Sequence, residues 1–284
     1  MGYIKISAKG PLKLNKTPAL LPAPYGSDEK YSALLAKNQE VLAEYQTRLY
    51  AGKTRALLII FQGMDTSGKD GAIKHVMSGV NPQGCSVASF KAPTPEELNH
   101  DYLWRTNWRL PARGQIGIFN RSYYEEVLVP RVHPELLGTE KLPTGKRDGK
   151  KLWQARYRDI TNHEKFLVRQ GYEIVKIFIH ISKDEQKRRL LDRFQDPKKL
   201  WKISEGDVHE RMFWAQYQRA YEDCIRHTAI KHAPWYIVPG NDKKHARLAI
   251  SQILVNRFEQ MQLVYPELST EQKKKLRKLK ALLS

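Results

Sequence analysis

Gly63-Met64-Asp65-Thr66-Ser67-Gly68-Lys69-Asp70-Gly71 follows directly on the apolar run Ala56 to Phe61. Two glycines, a lysine and the start of a helix are the parts of a phosphate-binding loop. Gly63 and Gly68 let the backbone curl until its N–H groups point inward at phosphate oxygens. Lys69 adds a mobile cation, and the helix that follows adds its positive N-terminal end. Met64, Thr66, Ser67, Asp70 and Gly71 complete the candidate phosphate and nucleotide contacts of the loop. The position after the lysine is normally Ser or Thr; here it is Asp70, and Asp65 is a second carboxylate inside the loop. Carboxylates beside phosphate repel it unless a metal lies between them. Mg²⁺ is therefore expected, with Mn²⁺ as a substitute; Asp65 is the first candidate ligand and Asp70 a weaker one.

A second group of candidates lies at the end of a later apolar run, Gly117-Ile118-Phe119-Asn120-Arg121-Ser122-Tyr123-Tyr124-Glu125. Phosphate-loop enzymes use an acidic residue at such a strand end for a second contact to Mg²⁺. Asn120 stands there instead, a weaker metal candidate because its amide oxygen brings no charge. Arg121 is the next residue, and a guanidinium fork matches two phosphoryl oxygens at once. Ser122 reads as a helix cap, which leaves the Asn-Arg pair unexplained by turn chemistry. Lys91 leaves another strand at the same sheet edge. Arg105 and Arg109 lie four apart, on one face of an expected helix, where they either line a phosphate channel or are merely solvated. Lys187, Arg188, Arg189, Arg193, Lys198, Lys199 and Lys202 straddle a break at Asp196-Pro197. A basic, hinged helix pair suits a lid over a reacting phosphate; a solvated helical hairpin is the plainer alternative. His75 and His133 read as structural, no serine sits in a nucleophile elbow, and covalent catalysis is not suggested.

These side chains need a framework, and composition bounds it. The chain has 284 residues, 41% of them hydrophobic, with six Trp and fourteen Tyr, which is globular rather than disordered. Its net charge of +19 favours a polyanionic partner. No apolar run approaches the ~20 residues that cross a bilayer, so no membrane partner is expected. The N-terminal residues Met1-Gly2-Tyr3-Ile4-Lys5 have neither the apolar core of a signal peptide nor the myristoylation spacing. Two cysteines, Cys85 and Cys224, suit a reducing cytoplasm as ordinary thiols, with a disulfide between them the less favoured option.

The order of elements follows from periodicity. Residues 1–27 read as an extended arm. A helix is expected over Asp28 to Tyr50, capped by Ser27 and ended by Gly52. Strands are expected at residues 56–61, 86–90, 116–119, 172–181 and 235–238. Helices follow the loop to about Ser78, then cover Pro95 to Trp108 behind Thr94, begin at Tyr123 to Val129, and cover residues 152–170 and 182–194. A long helix then runs to about Ile230, and another from Asp242 to Leu263. Residues 132–150 read as a surface excursion, about 183–210 as the lid, and 265–284 as a basic amphipathic tail. Alternating strands and helices give one α/β domain over residues 1–284. With the phosphate loop, the expected fold is a three-layer P-loop kinase-like one: a parallel five-stranded sheet flanked by helices, with a helical lid.

Gly63 to Gly71, Phe90 to Arg105 and Phe119 to Pro130 together closely resemble the polyphosphate kinase 2 family, a likeness that covers residues 30 to 263. The resemblance implies Mg²⁺-dependent transfer of phosphoryl groups between inorganic polyphosphate and nucleotides, on a thymidylate-kinase-like core with a helical lid. It makes Asp65 the carboxylate that holds Mg²⁺ and orients the acceptor phosphate. It sets Lys69 and Arg121 on the phosphoryl group in flight. Many members have Asp where Asn120 stands. The Asn form, with Phe90-Lys91-Ala92-Pro93-Thr94 and His100-Asp101-Tyr102-Leu103-Trp104-Arg105, resembles the subgroup that accepts both AMP and ADP and so forms ATP. A homo-oligomer, dimer or tetramer, is expected. Two rivals stand beside this reading. An ATP-dependent nucleoside monophosphate kinase would ignore polyphosphate. A basic nucleic-acid-binding protein with a non-catalytic loop would transfer nothing; no RNA-reading motif supports it, so no nucleic acid is expected.

Overall fold

The structure is a computed structural model and describes residues 2–139 and 149–283. The middle of the expected surface excursion, residues 140–148, lies outside the described residues. In chain order the elements are β1 (Ile4–Ile6), α1 (Asp28–Gly52), β2 (Ala56–Gln62), α2 (Lys69–Val76), β3 (Cys85–Ser89), α3 (Trp104–Asn107), β4 (Ile116–Asn120) and α4 (Val129–Val132). The second half adds α5 (Gly149–Arg169), β5 (Tyr172–His180), α6 (Lys183–Gln195), α7 (Glu205–Glu210), α8 (Trp214–Thr228), β6 (Trp235–Pro239), α9 (Lys243–Met261) and α10 (Thr270–Ala281).

The sheet has six strands in the order β1-β6-β5-β2-β4-β3. Five are parallel, and β1 pairs antiparallel with β6, Ile4 opposite Ile237 and Ile6 opposite Trp235. The expected five-stranded parallel sheet is therefore a six-stranded mixed one. Three residues inside a lysine- and proline-rich arm are too few to show a period of two, and their pairing is decided by the open backbone edge of β6. The arm is also tied down beyond β1. Leu14 is buried, its N–H donates to Glu222 at 2.7 Å, and the Asn241 N–H donates to the Ala19 carbonyl at 3.0 Å.

β2 is buried along its whole length because helices cover both faces of a parallel sheet. Leu58 and Ile60 point into one core with Tyr124, Tyr157, Ile225 and Trp235. Leu57, Ile59 and Phe61 point into the other with Leu42, Ile73, Ile250 and Phe258. Each such fully buried aliphatic side chain contributes roughly 1.5–3 kcal/mol. One ion pair sits inside the first core. Lys176 Nζ donates to Glu164 at 2.7 Å, to the Thr228 carbonyl at 2.8 Å and to the Tyr124 hydroxyl at 3.1 Å, and Glu164 also accepts from Tyr123. Removing one partner would leave a buried charge alone.

Three expected helices are broken. Between Pro95 and Trp108 there is a 3-10 turn at Glu97–Asn99 and then only the short α3. Thr94 does cap: its hydroxyl accepts from Glu97 N–H at 3.2 Å, and the Glu97 carboxylate accepts from Thr94 N–H at 2.9 Å. The Asp101 carboxylate then accepts from Leu103 N–H at 3.0 Å, a local bond that competes with continued helix. Tyr123–Val127 is likewise 3-10, and α4 starts afresh around Pro130. The long helix expected before Ile230 is three pieces, α7, a 3-10 turn at Arg211–Phe213, and α8. At α1 the left-handed residue is Lys53, one beyond the expected Gly52. Among the described residues no helix is long and apolar enough to cross a membrane.

The five parallel strands end at one edge of the sheet. α2, α6 and α9 begin there, just after β2, β5 and β6. That edge is where open parallel sheets collect their ligands.

Candidate functional site

The loop between β2 and α2 is held in a conformation that its glycines permit. Gly63 has φ +153°, and a Cβ there would stand 2.7 Å from both the Ile179 carbonyl and the Ser67 hydroxyl. Gly68 has φ +99°. Thr66 has φ +62° without being glycine, strain of the kind that clusters at ligand sites. Met64 turns into the core and anchors the loop rather than facing the cavity. Lys69 is buried, and its ammonium donates to the carbonyls of Gly63 at 2.8 Å and Met64 at 3.3 Å. Burial lowers its pKa, Arg121 pushes the same way, and Asp65, Glu125 and Asp70 oppose them. The lysine thus rests on loop carbonyls that an arriving anion can outbid.

β4 delivers the second group. Asn120 Nδ2 donates to Asp70 at 2.5 Å, so the amide and the carboxylate meet across the sheet edge. Arg121 has φ +63°, its N–H donates to the Phe61 carbonyl at 2.9 Å, and its guanidinium donates to Asp65 at 2.7 Å. Burial works against its charge, but Glu125 and Asp65 outweigh burial and hold it protonated. Ser122 caps the following turn, accepting from Tyr124 N–H at 3.1 Å. Glu125 is forced up by burial, with Arg121 and Lys69 restraining it. The sequence motif contained Glu125, yet only folding reveals that it backs Arg121.

α6 is bolted to the loop by one side chain. Arg189 donates to the carbonyls of Thr66 at 3.1 Å, Ser67 at 2.9 Å and Asn241 at 3.2 Å, and also to Gly240 and Glu185. Gln186 adds a bond to the Asp65 carbonyl at 3.2 Å. Arg193 ties α6 to α7 through Asp207 at 2.7 Å and the Lys202 carbonyl at 3.0 Å.

A cavity of about 710 Å³ opens over these groups. Asp65, Thr66, Ser67, Gly68, Lys69, Asp70 and Gly71 form its floor; Lys91, Asn120 and Arg121 stand on one side and Arg193, Lys199 and Lys202 above. Besides Met64, four expected basic contacts are elsewhere. Arg105 is buried in a bridge to Glu126 at 2.8 Å and to the Lys91 carbonyl at 2.8 Å, so it supports Lys91 from behind. Arg109 is exposed and off the cavity, because the expected helix that aligned it with Arg105 is broken. Lys187 points to solvent, and Arg188 is spent on Glu185 and Asp192 of its own helix. Neither lines the cavity. Sequence reasoning placed Arg189 in the lid without foreseeing its clasp on the loop, and it missed Lys243 and Arg247 as cavity residues. The available signal for the last two was an Asp cap followed by basic residues just past the final parallel strand.

Among the described residues no cluster of three or more His, Cys, Asp or Glu is arranged to hold a metal.

A family model described as Polyphosphate kinase 2 (PPK2) matches residues 25–265. The ADP-polyphosphate phosphotransferase of Rhodopseudomonas palustris is 49% identical over 263 residues, which is 93% of this chain and 91% of that protein. The AMP/ADP-polyphosphate phosphotransferase of Meiothermus ruber is 42% identical over 249 residues, 88% of each. The crystal structure of polyphosphate kinase 2 from Arthrobacter aurescens TC1 superimposes with a TM-score of 0.84 at 37% identity, covering 96% of this chain and 95% of that one. The likeness thus runs along nearly the full length of these relatives and takes in the glycine loop, the Asn-Arg strand end and the helices over them, and the chain belongs to the polyphosphate kinase 2 family.

Proposed function

We propose that this protein transfers a phosphoryl group from inorganic polyphosphate to ADP and AMP, reversibly and with Mg²⁺. The observation that carries the reading is the meeting of Lys69, Arg121 and Asp65 at one sheet edge, under a cavity of about 710 Å³ with basic helices above it. Phosphoryl transfer asks little covalent chemistry of a protein. Alignment of donor and acceptor, with charge neutralisation, supplies most of the rate.

The loop N–H groups and the α2 N-terminus hold the reacting phosphates. Lys69 leaves its carbonyl perch and meets the oxygens of the moving group. Arg121, already charged and already fixed by its backbone bond, spans donor and acceptor oxygens. Asp65 orients Arg121 and faces the acceptor phosphate. Asp65 and Asp70 fit a Mg²⁺ held mainly by substrate phosphates, which needs only one or two carboxylates from the protein, with Asn120 keeping Asp70 in place. The metal supplies charge neutralisation between substrate oxygens when bound. α6 and α7 act as the lid that excludes water from the transfer, so the glycine loop functions as a P-loop. Free thiols at Cys85 and Cys224 fit a reducing cytoplasm. Exposed Leu191, Phe194 and Leu200 fit coverage by a second copy of the chain in a homo-oligomer.

The test is direct. Purified protein with ADP or AMP, Mg²⁺ and polyphosphate forms ATP. No product from polyphosphate, with turnover of AMP by ATP instead, would overturn the reading.

A further inference from the structure

Resting on that functional reading, we infer that the donor polymer leaves the transfer point across the first turns of α2 and α9, its phosphates held by Lys243 and Arg247. Both residues line the same cavity as Lys69 and Arg121. They stand one helical turn apart on α9, hence on one face. A Cβ on Gly71 would stand 3.8 Å from the Arg247 guanidinium, so this side chain lies over the opening turn of α2. Two helix N-termini converge here, which adds positive potential to two cations.

The state of these cations separates them from the arginines of the cavity and from Lys199. Among the described residues Lys91 and Lys202 also lack an ion pair, but neither has a second unpaired cation one turn away on its own helix. Arg121 is paired with Asp65, Arg193 with Asp207 and Lys199 with Asp196. Among the described residues, Lys243 and Arg247 find no ion pair and no side-chain hydrogen bond. Burial and the nearby Arg189 and Arg188 push the Lys243 ammonium down in pKa, as expected of a cation crowded by cations and awaiting an anion. The carboxylates near this wall are taken: Asp192 accepts from Arg188, and Asp70 from Asn120.

The opposite side of the cavity has a different character. There Lys91 follows Phe90, whose ring lies under the Arg105 guanidinium, and Asn120 stands close by. One cation beside an aromatic and an amide suits a small acceptor with a base. A row of unpaired cations between two helix ends suits a repeating polyanion of no fixed length. The two substrates therefore enter from opposite sides of Lys69 and Arg121, the arrangement that an in-line transfer requires.

The experiment uses the full chain with Lys243→Ala, Arg247→Ala and the double substitution, assayed for ATP formation from ADP with long-chain polyphosphate and with tripolyphosphate. Each single change is expected to raise KM for the long polymer about tenfold, the effect of removing one charge-assisted hydrogen bond. KM for ADP and kcat stay within about twofold, since neither side chain touches the transferred group. Tripolyphosphate is affected less than the long polymer. The double variant's log(kcat/KM) against log salt becomes shallower by about 1.4, at ~0.7 for each phosphate no longer neutralised. Lys243→Arg restores polymer affinity. An active wild type whose double variant keeps its polymer KM and salt slope, or raises KM for ADP instead, would overturn the inference. A wild type inactive with polyphosphate would overturn the functional reading and this inference with it.

Discussion

At the scale of single residues, the roles divide by partner. Lys69 touches only backbone carbonyls, so its loss costs the fold little and the chemistry much. Lys69→Ala is expected to lower kcat by at least about 10²–10³, the range for removing one preorganised charge from a transition state, with an unchanged melting curve. Near-normal turnover by the folded variant would remove Lys69 from the mechanism. Arg105 is the reverse case. Its side chain is 6% exposed and its partner Glu126 9% exposed. Arg105→Ala should destabilise the protein, by at most about 3–5 kcal/mol, because it takes the 2.8 Å guanidinium partner from the buried Glu126 carboxylate, read as a fall in chemical-denaturation midpoint. A variant of normal stability with raised KM would make Arg105 a substrate contact after all. The loop residues were legible in the sequence because their spacing along the chain is itself the signal. Arg105 was misread because its partner lies elsewhere in the chain. Arg189 was read only as one of the lid's cations, because its main targets are backbone carbonyls of Thr66, Ser67 and Gly240, which no side-chain pattern announces.

At the scale of elements, α6 matters less for the cations it displays than for the clasp at its start. Burial alone would push Glu185 up, but hydrogen bonds from Arg188 and Arg189 outweigh it and hold the carboxyl below its ordinary 4.5. A carboxyl depressed in the folded state stabilises fully above its unfolded pKa, and that contribution fades as pH falls through the folded one. The stability gap between the protein and its Glu185→Gln variant should therefore be full at neutral pH and shrink as the pH falls below the ordinary 4.5. Melting temperatures compared from pH 7 to pH 3 read this out; a gap independent of pH would mean that the clasp is not electrostatic. Most elements were legible from apolar runs and caps: Ser27, Ser122 and Ser182 all accept from the turns they precede. The failures were breaks inside expected helices. Asp101 and Pro130 act there through local bonds and ring geometry that outcompete a periodic pattern.

At the scale of the whole molecule, the charge of +19 is unevenly used. α10 carries much of the C-terminal share, yet it buries no residue. Deleting residues 270–284 should leave stability within about 0.5 kcal/mol, as for surface changes generally. If the helix grips polymer, the deletion raises KM for long polyphosphate; if it does not, KM stays the same and the cavity cations suffice. The central sheet was legible because strands covered on both faces must be apolar throughout. Its rim was not, because Ile4–Ile6 is chosen by the backbone of β6 rather than by side chains.

That rim strand has a further consequence. Ile4 faces Ile237, so the first strand must wait for the last strand to be in place before the sheet is finished. Stripped of residues 2–6, the last parallel strand would offer a bare ladder of unsatisfied amides and carbonyls to any neighbour. Such a truncated protein should stick to itself through that flank, seen as concentration-dependent scattering, while its catalytic pocket at the strand ends stays assembled. Three residues in the arm would thus act as a seal against aggregation.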